Sequence, residues 1–215
     1  IRDRDNIQPG FYRLQEKMSA KSAVAALLDP ATRIEMLKIP GGLTLNDVRV
    51  VGGDVRYGIF SSISRVTCGE DGKGAGCINV EQLQEVAANA DPSELGVPEW
   101  ALGPVSARAG DPKRLEGLIA PGEYVVNPNA DAKTILTDLI TRSAKMYNGT
   151  DIVGRAQAIG LSPYELLIAA SLVEREAPAG EFDKVARVIL NRLAAPMRLE
   201  FDSTVNYDLE SVEVA

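Results

Sequence analysis

The residues best suited to acid–base chemistry in this chain are carboxylic acids near the end of one apolar segment. The sequence contains no histidine, which excludes Ser-His-Asp and Cys-His mechanisms and every His-ligated metal site. A proton carrier must therefore be Asp, Glu, Lys, Tyr or Cys. Glu174 and Glu176 follow a largely apolar run at 166–173 and precede Pro178. These carboxyl groups are the first candidates for a general acid or base.

The spacing of Glu174 and Glu176 separates them on a helix. Residues two apart project about 200° from each other, so we do not expect paired carboxylates. Glu174 shares its face with small residues, among them Ala170 and Ala177, which would let a ligand approach its carboxyl closely. The negative end of the helix dipole and apolar neighbours both favour the protonated form of such a group. The alternative is an ordinary solvated glutamate in a last helical turn, and Glu176 is expected to point away and form surface ion pairs.

The helix that positions Glu174 has clear start and stop signals. Ser162-Pro163-Tyr164-Glu165 combines a capping box with proline at the first helical position, and Pro178 ends the pattern, so a helix is predicted over 163–177. An apolar face predicts a further helix from about 181 to 194. Elsewhere the pattern predicts helices at 19–28, 81–90 and 131–147, the start of a helix at 44–48, a strand near 34–39, a loop-rich stretch at 52–80 and a linker at 92–112.

Cys68 and Cys77 are the only cysteines, and they flank a glycine-rich segment. Two thiolates cannot complete a four-ligand zinc site. The simpler interpretation is a short disulfide, which would indicate an oxidising, extracytoplasmic setting. Two unpaired surface thiols are the alternative.

The composition indicates a folded, acidic protein. Of 215 residues, 45% are hydrophobic and 25% charged, and the net charge is −7. A packed core is expected, whereas a nucleic-acid partner is not, because it requires a basic face. No stretch approaches the roughly 18 apolar residues of a spanning helix. Because the sequence starts at Ile1, we expect it to be a fragment whose signal or membrane anchor lies outside it.

One long pattern in the second half of the chain resembles the signature of the YceG-like endolytic transglycosylases. The resemblance is continuous in register and therefore specific. The pattern consists of Ala170-Ser171-Leu172-Val173-Glu174-Arg175-Glu176-Ala177, then Asp183-Lys184-Val185-Ala186, then Ile189-Leu190-Asn191-Arg192-Leu193, then Met197-Arg198-Leu199-Glu200-Phe201-Asp202-Ser203-Thr204-Val205-Asn206-Tyr207.

Two weaker resemblances to the same family lie upstream. Leu115-Glu116-Gly117, with Pro121 and Tyr124, is similar to a second family motif, although Ala120, Gly122 and Glu123 depart from it. Pro9-Gly10-Phe11-Tyr12 and Leu37-Lys38-Ile39-Pro40 resemble the LysM-like part of the family, with Gly41 where a glutamate is usual.

The resemblance implies an α+β fold with two parts. A small LysM-like module with a disulfide-loop insertion and a linker, residues 1–107, would precede a helix-rich mixed α/β catalytic domain, residues 108–215, that is incomplete at its C-terminus. The implied activity is cleavage of the bond between N-acetylmuramic acid and N-acetylglucosamine in nascent peptidoglycan, without water. The products would carry 1,6-anhydro ends, which would terminate strand elongation.

The resemblance also implies which residues form the site. Glu174 matches the family's acid, and no cofactor or metal is expected. Asn191 is alternatively an ordinary polar helix position. Asp202-Ser203-Thr204 is expected to form a polar turn before a strand, and Asp202 alternatively only caps backbone amides. The residues expected to bind substrate are Asn191, Asp202, Ser203, Thr204 and Glu116.

Two other functions stay open at the level of sequence. One is a non-catalytic peptidoglycan-binding or scaffold module, and the other is a hydrolytic glycosidase that pairs Glu174 with Asp202 or Glu116. The expected partners are glycan strands, cell-wall synthases and, through a missing N-terminal helix, the membrane. The expected location is a single-pass membrane protein whose catalytic part lies on the extracytoplasmic, periplasmic side.

Overall fold

A computed structural model describes residues 7, 10–29, 32–34, 36–46, 48–51, 54–69, 76–127, 130–195, 197–205 and 207. Short antiparallel strands, most of them before residue 58, combine with helices that make up most of the rest of the described chain, so the predicted α+β class is confirmed. The strands are β1 (Phe11–Tyr12), β2 (Arg33–Ile34), β3 (Met36–Ile39), β4 (Val48–Val51), β5 (Asp54–Tyr57) and β6 (Gly122–Val125). The α-helices are α1 (Ala20–Leu28), α2 (Ile59–Cys68), α3 (Val80–Asn89), α4 (Glu99–Ser106), α5 (Ala132–Gly149), α6 (Ile152–Ala158), α7 (Pro163–Glu176), α8 (Phe182–Ala194) and α9 (Asp202–Val205), and a 3-10 helix covers Pro112–Leu115.

In the described part of the chain the strands pair as three antiparallel two-stranded sheets. β1 pairs with β2, β4 with β5, and β3 with β6, where Leu37 lies opposite Tyr124. The β3–β6 pair joins residues far apart in sequence, one strand from each side of the boundary expected at 107/108. That division into parts stays a prediction, but the two sides share a sheet.

A common hydrophobic core also connects the two sides. Buried side chains of β3 and α2 pack in the same cluster as those of α5, which lies after the expected boundary. The largest fully buried members include Leu37, Phe60, Ile63, Leu83, Leu115, Leu136, Leu139 and Ile140. The site described below is therefore built on a framework that both parts of the chain contribute to.

Four sequence predictions about individual segments are wrong. Thr44–Asn46 forms no helix, and the chain continues as the β4–β5 hairpin. The stretch predicted as loop-rich contains α2, and the predicted linker contains α4, which buries Ala101 and Val105. Asp202-Ser203-Thr204 was expected as a polar turn before a strand, but it begins the short helix α9. In each case contacts from distant parts of the chain override a weak local pattern.

The disulfide predicted between Cys68 and Cys77 is confirmed. It ties the last residue of α2 to the segment that leads into α3. Among the described residues, no single helix is long and apolar enough to cross a membrane, and α6 with α7 meets the length and composition test only as a pair bent by 87°.

Candidate active site

Helix α7 carries Glu174, and its ends form as the sequence predicts. The Ser162 Oγ accepts a hydrogen bond from the Glu165 N–H at 3.2 Å, and the Ser162 N–H donates to Glu165 Oε2 at 2.8 Å. This reciprocal capping satisfies backbone donors at the helix start. None of the α7 residues is fully buried, and the helix contacts α4, α6, α8 and α9. Its last turn carries the exposed residues Glu174 and Arg175.

The Glu174 carboxyl is exposed and lies against the backbone of Gly41. An ideal Cβ added to Gly41 would come within 3.1 Å of Glu174 Cδ and closer still to Oε1. The exposed position is the one that the alternative interpretation, a solvated glutamate in the last helical turn, describes. Its open position suits access by a large ligand.

Tyr147, near the end of α5, is a partly buried tyrosine whose pKa the charge of Glu174 helps to raise. Its hydroxyl donates a hydrogen bond to the Gly117 carbonyl at 2.8 Å. Burial of the ring, followed by the charges of Tyr124 and Glu174, raises the pKa of Tyr147 to about 12. The hydrogen bond to the Gly117 carbonyl, and not the raised pKa, makes this hydroxyl a fixed donor near neutral pH. No sequence motif pointed to this residue.

A loop of the N-terminal part forms the other side of the site. We call residues 40–46, between β3 and β4, the 40–46 loop. Arg175 Nη1 donates to the Gly42 carbonyl at 2.9 Å, and the Leu45 N–H donates to Glu116 Oε2 at 3.1 Å. The loop is thus held from two directions, by α7 and by the segment after the 3-10 helix. These bonds bring the predicted residues Glu174 and Glu116 to opposite ends of one loop.

Glu176 has a different role from the one predicted. Its Oε1 accepts a hydrogen bond from the Ser203 N–H at 2.8 Å, and its side chain is only partly exposed. The expectation of surface ion pairs is therefore wrong. The carboxylate instead joins the end of α7 to the first turn of α9, where free backbone donors attract an anionic acceptor.

Helix α9 carries three of the predicted substrate-binding residues in three different environments. Asp202 is exposed. The Ser203 Oγ is buried, and it has no hydrogen-bond partner among the described residues. The Thr204 hydroxyl bonds locally, because it donates to the Phe201 carbonyl at 2.7 Å and accepts from the Phe201 N–H at 3.1 Å. Their role in substrate binding stays a prediction.

Asn191 lies exposed on α8, which packs beside α7. Within the described residues no hydrogen bond joins its side chain to Glu174. The neighbouring Arg192 instead organises the chain that follows, because its guanidinium donates to the Leu199 carbonyl and lies 4.9 Å from the centre of the Phe201 ring. The predicted contact of Asn191 with substrate remains a prediction.

Tyr207 is the last residue of the sequence pattern at 170–207, and it lies close to Glu116. Partial burial and the Glu116 charge raise the pKa of Tyr207 to about 12, against a smaller lowering effect of the Arg108 charge. The Lys113 ammonium lies 5.6 Å from the centre of the Tyr207 ring. The sequence did not assign a function to Tyr207, Arg108 or Lys113, and the structure places these three residues near Glu116.

Two further features bear on what the molecule can bind. A cavity of about 550 Å³ is lined by residues that include Arg13, Asp138 and Arg142, and by none of the predicted site residues. Across the described ranges, no group of three or more His, Cys, Asp or Glu side chains could hold a metal ion.

Comparisons with known proteins place the chain beside one family. The model of the YceG-like family matches residues 1–214. No curated protein matches the chain. A crystal structure of a YceG-like protein from Listeria monocytogenes is similar in fold, with a TM-score of 0.60 and 21% sequence identity over 98% of this chain. The chain spans 64% of the length of that protein.

Proposed function

Because this chain belongs to the YceG-like family, we propose that it is an endolytic peptidoglycan lytic transglycosylase with Glu174 as its general acid and base. The observation that carries the proposal is the exposed Glu174 carboxyl, which lies in the last turn of α7 beside the 40–46 loop. A polymer can reach a carboxyl in this position without entering a closed cavity. The family pattern around Glu174 supplies the type of reaction.

The proposed reaction needs one carboxyl group and no water. Protonated Glu174 donates its proton to the glycosidic oxygen as the bond between C1 of N-acetylmuramic acid and that oxygen breaks. The resulting carboxylate accepts the proton of the C6 hydroxyl of the same muramoyl sugar, and that oxygen bonds to C1. Glu174 is protonated again at the end, and the product carries a 1,6-anhydro ring. The nucleophile belongs to the substrate, so its effective concentration is high.

The hydrogen bonds of Glu116 and Glu176 argue against a catalytic pair that includes either of these two carboxylates. A hydrolytic glycosidase uses a second carboxyl group to activate water or to form a covalent intermediate. Glu116 already accepts the Leu45 N–H, and Glu176 accepts the Ser203 N–H. Both carboxylates therefore have a structural hydrogen bond, which does not favour either as the partner of Glu174.

The proposal also covers the substrate, the cellular location and the partners of the protein. Glycan strands of nascent peptidoglycan would lie along Glu174 and contact Asn191, Glu116 and helix α9. The disulfide supports an extracytoplasmic location, because such bonds persist in oxidising compartments. We further propose a membrane tether outside this sequence and association with cell-wall synthases, so that cleavage terminates strand growth.

The proposal is tested by the ends of the cleaved glycan. The protein is incubated with uncrosslinked peptidoglycan strands in water enriched in ¹⁸O, and the new ends are examined by mass spectrometry. The proposal predicts anhydro ends that lack ¹⁸O. Reducing ends that contain ¹⁸O would indicate a hydrolase, and binding without cleavage would indicate a non-catalytic module.

A further inference from the structure

The cavity of about 550 Å³ lies between the β1–β2 sheet, the end of β6 and helix α5. On the side of the sheet, Ile34 belongs to β2, and Arg13 extends β1, because its N–H donates to the Thr32 carbonyl at 2.7 Å. On the side of β6, Val125 and Val126 line the cavity. One face of α5 completes the lining with residues at the three- and four-residue spacing of a helix face, namely Thr134, Ile135, Asp138, Leu139 and Arg142.

Much of this lining is apolar. Ile135 and Leu139 are buried. Ile34, Val125 and Ala130 are only partly buried, so they keep apolar surface open to the cavity. Apolar groups of a ligand would cover this surface, and the removal of apolar area from water favours binding. The volume lies in the range of small-ligand sites, so the cavity fits a compact ligand with apolar groups.

Three charged side chains give the cavity a positive balance. Arg142 Nε donates to Asp138 Oδ1 at 2.9 Å, and these two charges offset each other. Among the described residues, the Nη groups of Arg142 and the whole guanidinium of Arg13 have no hydrogen bond or ion pair. The lining therefore carries a net positive charge on a chain whose net charge is −7. Guanidinium groups bind carboxylates through two parallel hydrogen bonds, so a ligand with a carboxylate suits this cavity.

The β3–β6 sheet connects the cavity to Glu174. Val125 lines the cavity and pairs with Met36. Gly41 lies five residues after Met36 and against the Glu174 carboxyl. Since five residues of extended chain span about 17 Å, the path from the cavity to Glu174 is on the order of 17 Å. A peptide of about five residues has the same reach when it is extended.

We propose that this cavity binds the end of the peptide that branches from N-acetylmuramic acid in nascent peptidoglycan. That peptide ends in alanyl residues, whose methyl groups match the apolar lining and whose terminal carboxylate matches Arg13 and Arg142. The inference rests on the proposed function and adds a second contact with the same substrate. Because cross-linking converts a terminal carboxyl group of this kind into an amide, the cavity would favour strands that are not yet cross-linked.

The binding test uses two synthetic five-residue peptides that end in D-alanyl-D-alanine, one with a free C-terminal carboxylate and one with a C-terminal amide. Each peptide is titrated into protein with ¹³C-labelled isoleucine methyl groups. The carboxylate peptide should shift the signals of Ile34 and Ile135, which line the cavity, and bind roughly tenfold more tightly than the amide, because it forms charged hydrogen bonds. Equal affinity for the two peptides, or shifts only elsewhere, would overturn the inference.

Arg13→Gln tests the source of this preference, with Arg155→Gln as the matched control. Both arginines are exposed, and Arg155 lies on α6, outside the cavity lining. Arg13→Gln should lose most of the preference for the carboxylate over the amide, whereas Arg155→Gln should keep it. The same preference in both variants would contradict the role of Arg13.

A cleavage assay keeps this inference separate from the proposed function. The substrates are glycan strands with their peptides and the same strands after an amidase has removed the peptides. We expect a lower KM for the peptide-bearing strands in the parent and a smaller difference in Arg13→Gln. Cleavage without carboxylate-selective peptide binding would reject the cavity as a peptide site and leave the reaction standing. Carboxylate-selective binding by a protein that cleaves nothing would support the peptide site and reject the reaction.

Discussion

Replacing Glu176 by alanine should loosen helix α9 (Asp202–Val205) while α7 stays intact. In the structure Glu176 Oε1 accepts the Ser203 N–H at 2.8 Å, across 27 residues of sequence. This bond ties a helix of four residues to the end of α7, and such a short helix has little stability of its own. Without the carboxylate, the Ser203 N–H loses its acceptor.

The magnitude follows from the charge and the exposure of the acceptor. A hydrogen bond to a charged group contributes about 1.5–3 kcal/mol when it is buried. Glu176 is partly exposed, so we expect about 1–2 kcal/mol, and the open population of α9 should rise roughly 5- to 30-fold. Glu176→Gln keeps an acceptor oxygen and should show a smaller effect.

Amide hydrogen exchange of the peptide that covers residues 197–205 measures this opening. Glu181→Ala is the control, because it also removes a glutamate carboxylate. The Glu181 carboxylate forms an exposed ion pair with Lys184. Exchange should accelerate in Glu176→Ala and stay at the parent rate in Glu181→Ala. If the two variants exchange alike, Glu176 does not hold α9. Since α9 carries Asp202, Ser203 and Thr204, we also expect a rise in KM for glycan strands.

Two further predictions concern stability. Reduction of the Cys68–Cys77 bond, whose cysteines are nine residues apart, should lower the free energy of unfolding by about 2–3 kcal/mol, because the unfolded chain gains loop entropy. Urea denaturation with and without reductant measures this difference. Coincident denaturation curves would contradict the prediction. The pKa of Tyr147 is about 12 in the folded protein and 10.0 ordinarily, so its stabilising contribution is complete below pH 10 and is lost as the pH rises to 12. Between pH 9 and 11 the free energy of unfolding, measured by urea denaturation, should therefore fall by about 1 kcal/mol more in the parent than in Tyr147→Phe. An equal fall in both proteins would contradict the raised pKa of Tyr147.

The sequence predicted helices α7 and α8 well because their signals are local. Ser162 and Glu165 cap each other within one turn, and the apolar spacing of α8 matches a face that buries Ile189. The disulfide was also predictable, since its two cysteines are the only ones and lie close together in sequence. These features depend on residues within a few positions of each other.

The contacts that define the site could not be predicted, because they join distant segments. The bond from Arg175 to Gly42 spans 133 residues, and the bond from Tyr147 to Gly117 spans 30. Helix α4 was missed because Gly103 and Pro104 are weak helix formers, whereas burial of Ala101 and Val105 stabilises the helix in the folded protein. A pattern search within one segment detects neither the contact between Gly41 and Glu174 nor the acceptor role of Glu176.

The most direct test of the central claim is the rate at which Glu174→Gln forms anhydro ends from glycan strands. Glutamine fits the same exposed position but cannot donate or accept the required proton at working pH. With a parent protein that cleaves, the account predicts that loss of the acid and base lowers the rate by about 100-fold or more, with an unchanged thermal midpoint and retained strand binding. A Glu174→Gln variant that produces anhydro ends at the parent rate would contradict the account.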